Sequence, residues 1–125
     1  MTTLISTLAL SNPVTAAVPW DLYVDSLGNI ATNTQAAAVA QDVASAIKVF
    51  SGEIYLDTTQ GIPYLSELFV SNFGAPVVGA LLEQAALSVP NVVTAQSSNV
   101  AVNNRSVTGT VNILDVNGQA SGVIL

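Results

Sequence analysis

Between residues 35 and 50, apolar side chains recur at Ala36, Val39, Ala40, Val43, Ala46, Ile47 and Phe50. That i, i+3, i+4, i+7 spacing lines one stripe of an α-helix. Thr34 is placed to cap its start, and Gly52 to end it as a left-handed C-terminal residue. A second helix is expected over residues 64–73, with Pro63 suited to its first position and Gly74 stopping it. Pro76 opens a third, which ends at Ser88 ahead of Pro90. From Asn91 the period changes to two. Residues 92–96 read as one strand, and residues 106–116 as a second with Val107, Gly109, Val111 and Ile113 on one face. Asn117-Gly118 is a strong hairpin signal, and residues 119–125 form the third strand. A two-residue loop there sets Val116 opposite Gln119, Ile113 opposite Gly122 and Val111 opposite Ile124.

The first 20 residues are rich in Thr, Ala and Val, and Pro13 and Pro19 break any helix. They read as an extended arm with one strand at residues 4–10. Asp21, Tyr23 and Asp25 alternate with Leu22 and Val24, and Gly28-Asn29 turns the chain before Ile30, which predicts a small hairpin. Residues 53–56 read as a short extended piece, and Gly61 with Pro63 as a rigid turn. Helices followed by a terminal meander indicate the α+β class: helices in the N-terminal two-thirds packed on a mainly antiparallel sheet that ends in a C-terminal β-hairpin. The division expected is an arm over residues 1–18 and a single domain over residues 19–125.

Charge changes this picture most. Only Lys48 and Arg105 are cationic against eight carboxylates, the net charge is −6, and 8% of residues are charged. An ordinary domain is about 25% charged. Mean hydropathy is +0.57, so an isolated copy is expected to expose more apolar surface than soluble monomers usually carry. The longest apolar runs, residues 36–50 and 76–89, are interrupted by Gln41, Asp42, Ser45 and Lys48 and by Glu83 and Gln84. They fall short of the ~20 residues a spanning helix needs. The first 17 residues lack the basic n-region of a signal peptide. Faces covered by neighbouring subunits are the reading that remains.

The missing residue types exclude much chemistry. With no cysteine or histidine, disulfides, thiolate sites, Ser-His pairs and nearly all zinc or haem ligation are absent, and no cofactor is called for. Two cations cannot neutralise a nucleic-acid backbone, and an anionic membrane would repel the chain. Carboxylate pairs are the only catalytic chemistry left. Glu53 and Asp57 flank Tyr55, and Asp21 and Asp25 flank Tyr23, a spacing that a glycosidase could use if one partner were held protonated. The plainer reading is that Asp57 fixes a turn with Thr58 and Thr59. The run Asp115-Val116-Asn117-Gly118 lacks the ligand ladder of a calcium loop and is a hairpin turn. Asn104-Arg105-Ser106 is a glycosylation sequon, of consequence only in a secreted eukaryotic chain. Lys48 suits the C-terminal end of its helix dipole. Arg105, alone between Asn104 and Ser106, either meets a partner's carboxylate or is solvated. The closing Val123-Ile124-Leu125 carries no charge or proline to blunt a sheet edge. That strand is either central in its own sheet or pairs with another chain by main-chain hydrogen bonds. The expected partner-binding residues are therefore Val111, Ile113, Gly122, Val123, Ile124, Leu125 and Arg105.

The stretch from Gly52 to Tyr64, Gly-Glu-Ile-Tyr-Leu-Asp-Thr-Thr-Gln-Gly-Ile-Pro-Tyr, resembles the central cassette of phage baseplate sheath-initiator proteins, the baseplate wedge family of contractile tails. Trp20-Asp21-Leu22, Asp25, Gly28-Asn29-Ile30 and Ala40-Gln41-Asp42 precede it in the order that family shows, and the resemblance spans roughly residues 19–116. It implies a non-enzymatic subunit, with a lysozyme-like label in name only. Such a subunit joins the baseplate around the tail hub, in a ring of six copies beside wedge and tube proteins. Its terminal strands weave into the first ring of sheath subunits. The virion baseplate, assembled in the bacterial cytoplasm, would be its location. A Glu-Pro-Arg signature of several relatives is missing, since Pro90 lies between Val89 and Asn91. A carboxylate-dependent glycosidase and a surface adhesin or pilus-like subunit are the alternatives. Deleting residues 122–125 is expected to leave a folded protein that no longer seeds sheath.

Overall fold

The computed structural model describes residues 4–11, 17–18, 20–65 and 74–125. The expected strand near the start is β1 (Ser6–Leu8), which pairs antiparallel with β2 (Thr32–Thr34). Between them the chain forms the expected turn: Val24 bridges Ile30, and the Asp25 carboxylate accepts the N–H groups of Leu27 and Asn29. Helix α1 (Gln35–Lys48) follows directly. Gln41 ties it to the small ladder: its Oε1 accepts from Leu10 N–H at 2.9 Å and from Asn33 at 2.8 Å, and its amide donates to the Leu8 carbonyl. Ile5 and Ala9, on either side of β1, are buried.

Val39, Val43 and Ile47 form the buried stripe of α1 as its spacing predicts. Ala36, Ala40 and Ala46 are only half-buried, however, and Phe50 is exposed, while Ala38 and Ala44 are fully covered. Packed by the β1–β2 ladder on one side and the rest of the fold on the other, α1 buries a wider arc than one stripe. It ends at Lys48 rather than Phe50, because Val49 is extended and Phe50 bridges Ile62. Gly52 is left-handed, but in the turn beyond the helix and not at its cap. Thr34 does precede α1, though its side chain makes no capping bond. The helix expected over residues 64–73 lies beyond Leu65 outside the described residues. Helix α2 (Ala75–Leu87) carries Pro76 in its first turn and ends on Ser88, as the Pro76–Ser88 spacing predicts.

The chain closes with an antiparallel sheet of three strands, β3 (Val92–Asn103), β4 (Ser106–Asp115) and β5 (Ala120–Ile124), in that spatial order. The fold is therefore α+β, as the sequence indicates. Strand β3 runs far past Gln96 because a bulge hides its periodicity. Asn99 takes the left-handed conformation, and Asn99 and Val100 together oppose Gly109. A side chain at Gly109 would press on the Val100 backbone. Ala95 faces the core before the bulge, and Val100 and Val102 do so after it, so the inward parity switches from odd to even. On β4 the predicted face holds: Gly109, Val111 and Ile113 are buried.

The β4–β5 register differs by one residue from the expected one. Val111 opposes Val123, Asn112 opposes Gly122 and Ile113 opposes Ser121. The loop holds three residues, closed by Asp115 N–H to the Gln119 carbonyl, with Gly118 left-handed. Asp115 itself selects this loop, since its buried Oδ1 accepts the N–H groups of Asn117 and Gln119 at 2.9 Å each. A one-residue slip turns every side chain to the other face; here it buries Val123 opposite Val111. Val39, Val43 and Ile47 of α1, Val78 and Leu82 of α2, and Val111, Ile113 and Val123 of the sheet make one continuous core.

Candidate functional site

The two edges of the terminal sheet are built differently. On β4, Asp115 N–H reaches the Gln119 carbonyl and Leu125 N–H reaches the Gly109 carbonyl. Antiparallel ladders alternate hydrogen-bonded and non-bonded pairs. The odd positions of β5 therefore point their main-chain groups at β4, while Ala120, Gly122 and Ile124 point theirs outward. By the same parity Ser97 of β3 points its N–H away from β4. That outer group is already taken: Glu83 of α2 accepts from both Ser97 N–H and Ser97 Oγ–H at 2.7 Å. Gly79 lets α2 approach so closely, because a Cβ there would lie 2.7 Å from Ser97 Oγ. Among the described residues no strand pairs with the outer side of β5, and the Ile124 side chain is 82% exposed.

The expected partner-binding residues separate accordingly. Val111, Ile113 and Val123 are buried in the core; Gly122 and Ile124 are exposed, and Leu125 is half-buried. Arg105 is exposed at the two-residue turn between β3 and β4. Because Val123 belongs to the core, deleting residues 122–125 removes a buried side chain along with the edge, and the truncation is expected to cost stability as well.

The cassette from Gly52 to Tyr64 is a closed loop of turns, and the extended piece expected at residues 53–56 is one of those turns. Its stem is pinned by Ser51 N–H to the Ile62 carbonyl and Ile62 N–H to the Val49 carbonyl. Its carboxylates are used within it. Glu53 accepts from Phe50 N–H at 2.8 Å, and Asp57 accepts from Thr59 N–H, Thr59 Oγ1 and Gln60 Nε2. The side-chain bonds from Thr59 and Gln60 hold the Asp57 carboxyl below its usual pKa, the opposite of what a general acid needs. Asp25 is likewise spent on its turn. Tyr64 anchors the stem: it is buried, stacks edge-on against Phe50 at 5.5 Å and donates to the Ile47 carbonyl at 2.7 Å. Burial pushes its phenol up to about 12. Tyr55 and Leu56 stand at the tip, 93% and 91% exposed.

Among the described residues no group of three acidic side chains could hold a metal ion, and no helix is long and apolar enough to cross a membrane. A groove of about 630 Å3 lies between the C-terminal halves of α1 and α2 and the cassette stem, lined in part by Val49, Ile62, Leu81 and Ala85. Spacing could not reveal the Glu83–Ser97 contact, since it joins a helix to a strand whose length was itself hidden by the bulge.

Glu83 gives the covered edge a pH dependence. Its bonds from the Ser97 backbone and side chain hold its carboxyl below the usual glutamate pKa. A depressed folded pKa contributes stability that is present above the unfolded value and lost as pH falls through the folded one. Acid denaturation should therefore loosen α2 from β3 below about pH 4.5, and Glu83→Gln should flatten that part of the stability curve. Urea midpoints measured across acid pH check it; identical curves for the two proteins would remove Glu83 from the account.

None of the curated proteins matches the chain significantly. The family model described as contractile injection system sheath initiator matches residues 19–118. That span includes α1, α2, the cassette, β3 and β4, and a family of this kind implies a structural, non-enzymatic role in a baseplate that contacts sheath. The chain belongs to the contractile injection system sheath initiator family.

Proposed function

We propose that this protein starts the sheath of a contractile phage tail by adding a sheath strand to the outer edge of β5. The observation that carries this is the asymmetry of the terminal sheet. At one edge Glu83 of α2 already occupies the outward N–H of Ser97, while the other offers the main-chain groups of Ala120, Gly122 and Ile124. Natural sheets blunt exposed edges with charge, proline or a cover, and β5 has no charge or proline. Strand addition takes its affinity from main-chain hydrogen bonds and repeats identically at each subunit of a ring. Val111, Ile113 and Val123 hold that strand in place from below, and Gly122 and Ile124 meet the incoming chain.

The opposite attachment, to baseplate wedge and hub or tube proteins, falls to the exposed apolar residues elsewhere. Leu22, Val24, Leu27 and Ile30 of the first turn and Tyr55 and Leu56 of the cassette tip are all at least half exposed. Apolar exposure on this scale marks surfaces that neighbours cover. Six such subunits around the hub would template one sheath ring in the virion baseplate, assembled in the host cytoplasm. Low charge keeps repulsion small when copies crowd one axis. Amide hydrogen exchange tests the reading: on binding the sheath subunit, Ala120, Gly122 and Ile124 should become strongly protected. Protection that rises only elsewhere would refute it.

A further inference from the structure

The chain's only two cations, Lys48 and Arg105, line one pocket. It has a volume of about 260 Å3 and an apolar wall of Ile47, Phe50, Tyr64, Val107 and Leu125. It opens at the C-terminal end of β5, where Leu125 N–H reaches Gly109 and β4 runs on past it through Val107 to Ser106. Lys48 projects from the last turn of α1 with its ammonium 3.3 Å from the centre of the Trp20 ring. Arg105 reaches in from the β3–β4 turn. Among the described residues neither cation is matched to a carboxylate, and Lys48 is drawn below its usual pKa by partial burial.

Among the described residues the structure gathers both cations at one apolar hole rather than beside a carboxylate. An apolar cavity with positive charge at its mouth complements a large apolar side chain next to a carboxylate. With the net charge at −6 and both cations at this pocket, an acidic segment meets favourable side-chain charge here. We infer that this pocket sets the register of the sheath strand on β5 by taking one of its apolar side chains and pairing an adjacent Asp or Glu with Arg105 and Lys48. This rests on the strand-addition reading and gives it the specificity that main-chain bonds alone lack, because a shift of two residues along β5 repeats the same ladder.

The test uses the full chain and the purified sheath subunit of the same contractile system. Arg105→Gln and Lys48→Gln should each weaken binding about tenfold, and the double variant should lose the decline in affinity with rising salt that the unaltered protein shows. Arg105→Lys should restore part of the loss. Neutralising the acidic residues of the sheath's terminal segments one at a time should find one whose removal makes Arg105→Gln silent, as coupled partners do. Unchanged affinity and salt dependence in the double variant would overturn the pocket assignment. A Gly122→Pro arm reports separately on strand addition: if it abolishes binding while the cation variants do nothing, the strand reading stands and this inference falls. Circular dichroism of each variant confirms that the fold is retained, which exposed Arg105 on a turn makes expected.

Discussion

Gly122→Pro is expected to leave the protein folded and to stop it seeding sheath. The Gly122 N–H points away from β4, and among the described residues no strand pairs with that side of β5, so a proline there removes nothing from the β4–β5 ladder. Its backbone is not in the left-handed region. A Cβ added at Gly122 meets only Asn112 Oδ1 at 3.4 Å and Thr110 Cγ2 at 3.8 Å, ordinary contacts. A proline fixes φ at about −65° where an antiparallel strand prefers about −140°, so a modest loss of stability is expected beside a retained fold. The incoming strand fares differently. It loses the central donor of the edge and meets a ring where a flat backbone should pass. Two or three lost hydrogen bonds at about 1 kcal/mol each correspond to roughly a hundredfold in affinity. Calorimetry against the sheath subunit, with thermal unfolding of the variant alone, separates the two effects. Retained affinity in a folded variant would mean that β5 is not the site.

Gly61→Ala carries the largest expected loss of stability. Gly61 sits at φ +103, which L side chains rarely adopt, and a Cβ there would run into the carbonyl of Phe50 and the N–H of Ser51. Those atoms belong to the pinned stem of the cassette, where Ser51 N–H donates to the Ile62 carbonyl and Ile62 N–H to the Val49 carbonyl. The stem has no flexible side chain to move aside. Backbone strain of ~1–3 kcal/mol adds to the collision, so the variant should lose about 3 kcal/mol or more, a large share of the 5–15 kcal/mol a domain holds. Ile62 and Tyr64, both core residues, would be displaced with the stem. Urea denaturation of Gly61→Ala beside Gly28→Ala is the check. Gly28 is also left-handed, but nothing lies within 4 Å of its would-be Cβ, so it bears only the conformational cost. Equal losses at the two sites would dismiss the collision.

What could be read in the sequence was what depends on local pattern. The apolar spacing of Val39, Val43 and Ile47, the Pro76–Ser88 helix and the buried face of β4 each follow from residues within a few turns of one another. The cassette residues carried the family resemblance for the same reason, as a contiguous window of Gly-Glu, aromatic, Asp and Gly-Ile-Pro. The errors arose where a particular side-chain bond, an inserted residue or a distant partner overrides the periodic pattern. Asp115 chose a three-residue loop over the two-residue one by accepting two N–H groups with a single oxygen, and the register moved with it. The bulge at Asn99 and Val100 concealed half of β3. Helix α1 stopped early because Phe50 is drawn to Ile62, a pairing that the intervening residues do not announce. The differing treatment of the two sheet edges, and the meeting of Lys48 with Arg105, exist only once α1, α2 and the sheet are assembled.

The central claim concerns where the first sheath ring grips this subunit, and a cryo-EM map of the assembled baseplate–sheath junction tests it directly. Density for a sheath strand hydrogen-bonded along Ala120, Gly122 and Ile124 is the result this structure predicts. A map with that side of β5 bare or covered by a helix, and sheath held at some other surface, would contradict it.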